Sequence, residues 1–124
     1  MYLSKKQIED YQNFGAIIIK EVFKEWIGPL RKGFQKVLDN PSKHGRENVN
    51  EKNKGRFFED YCNWERIKEF RDCIFNSPGA KIVAEATSSK STQIFHEHIF
   101  IKEPGTHKET PWHQDMPYYC VDGN

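Results

Sequence analysis

The sequence predicts an α+β fold, with helices in the first part of the chain and strands in the second. Apolar residues recur at helical spacing in most segments before residue 87, whereas residues 93–102 alternate between two sets of side chains. With 124 residues, the chain has the length of one domain or of part of one. We expect a mainly helical part with one early strand over residues 1–92, and core strands over residues 93–124.

The composition indicates a globular protein without a strong charge. The 19 Lys and Arg residues nearly balance the 18 Asp and Glu residues, which disfavours nucleic acid and anionic membranes as partners. The three cysteines have no CxxC spacing, so neither a disulfide framework nor a structural zinc site is expected. The sequence also has no signal-peptide pattern and no apolar run of membrane-spanning length. We therefore expect a cytoplasmic protein.

Three elements are predicted in the first 39 residues. A capping-box pattern begins at Ser4, and Gly15 is a typical stop signal, so a helix is expected between them. Residues 16–19 form a short β-branched run that predicts a buried strand. Residues 21–39 return to helical spacing, and Gly28-Pro29 within them predicts a kink or the start of a new helix.

The middle of the chain is predicted to contain a loop and two helices. Residues 40–55 include two Gly, one Pro and four Asn without apolar periodicity, which is typical of a mobile loop or a lid. Arg56 follows beside two aromatic residues, where it could clamp a carboxylate or lie exposed in solvent. Asn63 is a good cap for the next helix, and Ser77-Pro78 is a start signal for another.

Residues 93–102 are the clearest predicted strand. Because side chains alternate along a strand, one face carries Phe95, Glu97, Ile99 and Ile101, and the other carries His96, His98, Phe100 and Lys102. A turn is expected at residues 103–106, and extended structure is expected again from Thr110. The His-rich face is a candidate wall of a binding site.

His113 and Asp115 form the most informative pair in the sequence, because they are separated by one residue. On a strand both side chains would point to the same face, with their Cα atoms roughly 7 Å apart. Imidazole and carboxylate are two of the three ligands of the 2-His-1-carboxylate site that holds non-haem Fe(II). Prolines and aromatic residues on both sides suit the wall of a pocket. The alternative is a structural His beside a surface Asp.

A second set of candidate metal ligands comprises His96, His98 and Glu103. Two His on one strand face with a Glu after them resemble the metal site of a cupin enzyme, which binds Zn, Mn or Fe. However, Lys90 and Thr110 stand where that motif has glycines. This arrangement remains an alternative interpretation.

Two adjacent segments closely resemble the phytanoyl-CoA dioxygenase family. They are residues 98–106, His-Ile-Phe-Ile-Lys-Glu-Pro-Gly-Thr, and residues 110–123, Thr-Pro-Trp-His-Gln-Asp-Met-Pro-Tyr-Tyr-Cys-Val-Asp-Gly. The resemblance is most specific over residues 94–123 and extends loosely over most of the chain. It implies a double-stranded β-helix, or jelly roll. It also implies an oxygenase that uses Fe(II), 2-oxoglutarate and O2.

The resemblance implies that His113 and Asp115 are the first two iron ligands. In halogenating relatives a small residue replaces the carboxylate, so Asp115 favours hydroxylation. The family has its third ligand, a distal His, and an Arg for the 2-oxoglutarate carboxylate further along the chain. Both would lie after Asn124. We therefore expect the sequence to be the N-terminal part of a longer enzyme and to be inactive alone.

Five further residues receive roles from the same resemblance. His98 and Lys102 correspond to a strand that lines the 2-oxoglutarate pocket, and Arg56 falls near a basic residue that contacts the cosubstrate in some relatives. Tyr119, with Tyr118 beside it, falls near an aromatic position that faces substrate. A cupin-type enzyme and a non-catalytic relative that only binds a ligand remain as alternative functions.

Overall fold

The computed structural model describes residues 1–49 and 55–120, in which four α-helices combine with a small antiparallel sheet. The helices are α1 (Lys5–Phe14), α2 (Ile27–Asp39), α3 (Lys68–Asn76) and α4 (Gly79–Ala86). The strands are β1 (Arg46–Val49), β2 (Phe57–Tyr61) and β3 (His98–Lys102). This mixture is compatible with the expected α+β class, although two strands lie between helices. None of the described helices is long and apolar enough to cross a membrane.

The sheet has the order β1-β2-β3, and both pairs of neighbours are antiparallel. In the centre, Phe58 pairs with Ile101 and Glu59 pairs with Phe100. Because side chains alternate along a strand, this register gives the sheet two chemically different faces. One face packs on the helices and the other is open.

The main core lies between the sheet and helices α2 and α3. It contains Val37, Phe58, Ile67, Phe70 and Ile99, each no more than 5% exposed. Burial of such large apolar side chains stabilises the fold by about 1.5–3 kcal/mol for each residue. The sheet is therefore fixed by the packing of one face.

A second, smaller core connects the two ends of the helical part. Leu3, Ile82 and Ala86 form it, and side chains of α1 pack around them. The predicted helix at the N-terminus is confirmed, because Ser4 forms a complete capping box and Gly15 ends the helix with φ of 74°.

Residues 16–19 do not form the strand that their β-branched run predicted. Ile17 and Ile19 pack against the smaller core, whereas Ile18 is 86% exposed. A strand requires a hydrogen-bonded neighbour, and no described strand pairs with this segment. Within the described residues, side-chain packing holds the apolar run.

The predicted loop over residues 40–55 contains β1, so that prediction was wrong at residues 46–49. This edge strand is polar, and it lacks the apolar alternation by which half-buried strands are recognised. Residues 50–54 lie outside the described part of the chain. Strand β2, which begins directly after Arg56, was not predicted either.

Three other predicted boundaries differ from the structure. Helix α2 begins at Ile27 after a 3₁₀ turn at Lys24–Trp26, so the helix does not run from residue 21. Gly28-Pro29 lies in the first turn of α2, which confirms the start of a new helix and not the kink. Helix α3 begins at Lys68, because Asn63 closes a turn in which its carbonyl accepts a hydrogen bond from Ile67 N–H. β3 is limited to the second half of the predicted strand, where β2 pairs with it. The helix expected after Ser77-Pro78 is confirmed as α4.

Candidate functional site

A cleft of about 1110 Å³ lies between the open face of the sheet and the segment of residues 108–119. Its floor is formed by Arg46, Asn48, Phe57, Glu59, His98, Phe100 and Lys102. Its other wall is formed by His96, Lys108, Glu109, Thr110, Pro111, Trp112, His113, Asp115, Tyr118 and Tyr119. The His-rich face of the predicted strand therefore does line a cavity.

The floor contains a histidine next to a carboxylate. His98 Nε2 lies 3.6 Å from Glu59 Oε2, and the two residues belong to adjacent strands. Burial lowers the pKa of the His98 imidazole, and the nearby Glu59 carboxylate opposes this only in part, so the pKa remains below its ordinary value. At neutral pH His98 is therefore mainly uncharged, and its ring can both donate and accept a hydrogen bond.

The predicted metal pair is brought together in the wall of the cleft. His113 Nε2 lies 3.2 Å from Asp115 Oδ1, although both side chains are largely exposed. The segment is not a strand, because residues 106–114 have no regular structure and a 3₁₀ turn follows at Met116–Tyr118. The expected extended strand is thus absent, yet the two side chains still converge.

The tautomer of His113 can be inferred from its second ring nitrogen. Nδ1 lies 2.7 Å from the carbonyl oxygen of Pro111. A carbonyl can only accept, so Nδ1 carries a proton and Nε2 of the neutral ring carries a lone pair. In the neutral ring, Nε2 and Asp115 Oδ1 are both donor atoms that one cation could bind, whereas in the protonated ring the same contact is an ion pair. A backbone acceptor on the other nitrogen is also typical of metal-binding histidines.

The separation of these two atoms suits a six-coordinate metal ion. Two donor atoms that each lie about 2.1 Å from such an ion, on adjacent corners, are about 3 Å apart. The observed 3.2 Å between His113 Nε2 and Asp115 Oδ1 is close to that value. One nitrogen and one carboxylate oxygen are also donors that iron accepts. The pair therefore fits two positions of an iron site.

A third metal ligand is not found in the described residues. Within residues 1–49 and 55–120, no three His, Cys, Asp or Glu side chains are grouped so that they could hold a metal ion. This includes the cupin set, because Glu103 accepts a hydrogen bond from Arg56 N–H and does not line the cleft. The ring centroids of His96 and His98, the other two residues of that set, are 6.5 Å apart.

The two predicted cosubstrate cations differ in position. Lys102 lines the cleft, where Nζ donates hydrogen bonds to Thr110 Oγ1 at 2.9 Å and to Lys108 O at 3.3 Å. The Arg56 guanidinium pairs with Glu47 and lies over the Phe58 ring, outside the residues that line the cleft. Hydrogen bonding to Glu47 raises the pKa of Arg56 further.

Both predicted substrate-facing tyrosines line the cleft. Tyr119 packs against His96 and Phe95, with ring centroids 5.2 and 5.5 Å apart respectively. Tyr118 meets the His113 ring edge to face at 6.2 Å. Aromatic rings beside a polar pair are typical of small-molecule sites. Their predicted role in facing substrate stays a prediction.

Three polar lining residues were missed because β1 and β2 were not predicted. Arg46 and Asn48 come from β1, and Glu59 comes from β2. Their signal in the sequence is weak. In Phe57–Tyr61, an alternating pattern places Phe58 and Asp60 on the buried face and leaves Glu59 on the open one.

Comparison with known proteins agrees with the earlier resemblance. A family model described as phytanoyl-CoA dioxygenase (PhyH) matches residues 11–123. Searches of curated proteins and of solved structures gave no significant match. The family match covers nearly the whole chain, including β1–β3 and the His113–Asp115 pair. The chain therefore belongs to the phytanoyl-CoA dioxygenase family.

Proposed function

We propose that this chain carries part of the active site of an Fe(II)- and 2-oxoglutarate-dependent dioxygenase that hydroxylates a small molecule. The family is generally dependent on Fe(II) and 2-oxoglutarate, and its members have oxygenase-type activity. The observation that carries the proposal is the convergence of His113 Nε2 and Asp115 Oδ1 in the wall of the cleft. In a complete enzyme of this family, the three-stranded sheet would belong to a jelly roll.

His113 and Asp115 would hold the iron together with a later His. When bound, the iron supplies oxidation by O2, coupled to the conversion of 2-oxoglutarate into succinate and CO2. Asp115 retains the carboxylate ligand, which supports hydroxylation over halogenation. The Nδ1–H bond to Pro111 would keep the His113 ring in the tautomer and orientation that ligation needs.

The floor of the cleft would bind and orient the cosubstrate. His98, mainly uncharged at neutral pH, can exchange hydrogen bonds with a carboxylate or a keto oxygen. Lys102 offers a cation at the edge of the same floor. Arg56 would have to leave Glu47 before it could contact the cosubstrate. A later Arg would pair with the distal carboxylate.

Tyr118 and Tyr119 would form an apolar wall for the substrate. Both are in the cleft on the side of the metal pair. Their rings would also limit the access of water to the reacting centre. Arg46, Asn48 and Glu59 at the floor give this cleft further polar groups that can orient a substrate.

The test is succinate formation by the full-length protein with Fe(II), ascorbate, O2 and 2-oxoglutarate. We expect succinate that depends on both Fe(II) and 2-oxoglutarate, including a slow uncoupled background without substrate. The 124-residue chain alone is expected to form none, because its described residues bring only two metal ligands together. Turnover by this chain alone would contradict this account.

The same assay separates the alternatives. A cupin-type enzyme would turn over without 2-oxoglutarate, and it would lose activity when Glu103 is replaced by Gln. A non-catalytic relative would bind 2-oxoglutarate but form no succinate with any panel of small molecules. Either result would reject the proposed hydroxylase.

A further inference from the structure

The segment between β3 and the metal pair is attached to the sheet through the last residue of β3. Lys102 Nζ donates to the Thr110 hydroxyl at 2.9 Å and to the Lys108 carbonyl at 3.3 Å. Thr110 precedes His113 by only three residues. A single ammonium group thus binds both a side chain and the backbone of the segment that leads to the metal pair.

The sheet holds the same ammonium group from the other side. Lys102 Nζ lies 4.4 Å from the centroid of the Phe57 ring, over its face. Phe57 is 4% exposed and is the direct cross-strand partner of Lys102, so the ring is a rigid support. A cation over an aromatic face contributes about 0.5–1 kcal/mol at an exposed site. Lys102 is therefore placed between a fixed ring and the segment of residues 108–110.

The other contacts that the described residues make with this segment lie mainly in its first part. The backbone N–H of Glu103 donates to the Arg56 carbonyl at 2.9 Å, and Arg56 N–H donates to the Glu103 carboxylate at 3.0 Å. Gly105, with φ of 91°, completes this turn next to Gly55. These contacts end at Thr106, two residues before the part that Lys102 binds. Beyond them, Lys108 Nζ donates to Asn48 Oδ1 at 3.3 Å, which is as long as the bond from Lys102 to the Lys108 carbonyl and longer than the 2.9 Å bond to Thr110.

We propose that Lys102 is a positioning residue that anchors the segment carrying His113 and Asp115 to the sheet. This role differs from a contact with 2-oxoglutarate, because its partners are Thr110, Lys108 and Phe57 within the chain. Fixing residues 108–110 limits the conformations of His113 and Asp115, so less entropy is lost when they bind a metal. The effect on metal affinity rests on the proposed function, whereas the anchoring of the segment does not.

The first experiment measures anchoring without any metal. Backbone order parameters of residues 106–116 are measured by NMR relaxation, for the unsubstituted chain and for Lys102→Met. We expect the substitution to lower the order parameters there to below about 0.6, the range of flexible backbone, while those of β2 are unchanged. Lys102→Arg should restore most of the order. Lys32→Met, which changes an exposed lysine on α2, is the matched control and should have no effect.

The second experiment is a double-mutant cycle with Lys102→Met and Thr110→Val. Co(II) is titrated into each protein and followed by the paramagnetic shifts of the His113 ring protons. We expect Lys102→Met to weaken Co(II) binding about fivefold and Thr110→Val to weaken it less. The double variant should be no weaker than Lys102→Met, because both substitutions remove the same contact.

The outcomes separate this proposal from the proposed function. Unchanged order parameters in Lys102→Met, or fully additive losses of Co(II) affinity, would overturn the anchoring role. Lower order parameters together with no Co(II) binding by the unsubstituted chain would support the anchor and count against the metal site. A loss of 2-oxoglutarate affinity with neither of the other changes would assign Lys102 to the cosubstrate alone.

Discussion

The two faces of the sheet are built from alternate residues of the same strands, yet they differ in polarity and, except at Phe57, in burial. On the helix side, Phe58 and Ile99 are 2% and 3% exposed and pack in the main core. On the cleft side, Glu59, His98 and Phe100 are accessible and line a cavity. Packing therefore determines the position of the sheet from one side only. The other side is left with polar groups that can bind a ligand.

The same contrast separates the core from the wall of the cleft. Residues 107–120 are all exposed, and the Trp112 side chain is fully accessible to solvent. They are held by side-chain hydrogen bonds, by ring contacts of Tyr119 and by one 3₁₀ turn. Apolar burial, the dominant stabilising term in folding, contributes little to them. The proposed metal pair thus lies on a part of the described chain that packing hardly fixes.

The largest expected difference in stability is between two phenylalanines on opposite faces. Phe58→Ala should lower the free energy of unfolding by about 3–5 kcal/mol, because it leaves a cavity in the core. Phe100→Ala, a matched change one register position away, should lower it by less than about 1 kcal/mol, since Phe100 is 50% exposed. Urea unfolding measures both. Equal losses would contradict the two-face description.

A smaller effect is expected at the buried carboxylate of the helix side. Asp60 is fully buried, and its carboxylate accepts hydrogen bonds from Ser42 N–H and Tyr61 N–H, both at 2.8 Å, and from the Ser42 hydroxyl. Burial raises the pKa of Asp60, but these hydrogen bonds outweigh it and hold the pKa below its ordinary value. Asp60→Asn should cost about 1–3 kcal/mol at pH 7.

The pH dependence of this cost follows from the direction of the shift. A carboxyl whose pKa is lower in the folded state stabilises the fold above its unfolded pKa of about 3.9. That contribution is lost as the pH falls through the lower folded value. The difference between the unsubstituted chain and Asp60→Asn should therefore shrink in urea unfolding between pH 5 and pH 2. A difference that is constant over this range would reject the assigned role.

Two glycines of α2 provide the next comparison. A Cβ at Gly33 would lie 2.6 Å from Phe70 Cε1 in the core, whereas a Cβ at Gly28 would have no neighbour within 4 Å. Gly33→Ala should cost about 1–3 kcal/mol through overpacking. Gly28→Ala should change stability by less than about 0.5 kcal/mol, because higher helix propensity is opposed by the following proline. Thermal unfolding of the two variants tests this, and a stabilising Gly33→Ala would contradict the packing.

The smallest effect on stability is expected at the exposed tryptophan of the cleft wall. Trp112→Ala should change the free energy of unfolding by less than about 0.5 kcal/mol, because no apolar contact is lost. Urea unfolding measures this change. A loss of more than about 1 kcal/mol in the free energy of unfolding would mean that Trp112 is packed in solution. Trp64→Ala, which changes a ring packed at the edge of the main core, is the matched control and should cost more.

Sequence reasoning succeeded where a local pattern has a local cause. The capping box at Ser4, the stop at Gly15 and the start of α4 depend on neighbouring residues, and all were predicted. The two faces of His98–Lys102 also followed from alternation. The family was recognised because the residues around His113 and Asp115 form a specific motif.

The remaining errors have non-local causes. Whether residues 16–19 or residues 46–49 form a strand depends on a partner strand, and the sequence gives no direct sign of one. Without β1, Arg46 and Asn48 could not be placed in the cleft. The convergence of His113 and Asp115 was expected from a strand, but it arises in a segment without regular structure.

The most direct test of the central claim is metal binding by two histidine variants. Co(II) binding is measured by NMR for His113→Ala and for His96→Ala, which removes another imidazole from the same cleft. We expect His113→Ala to abolish specific binding and His96→Ala to retain it. Loss of binding in His96→Ala, with retention in His113→Ala, would contradict the assignment of His113 and Asp115 as the metal ligands.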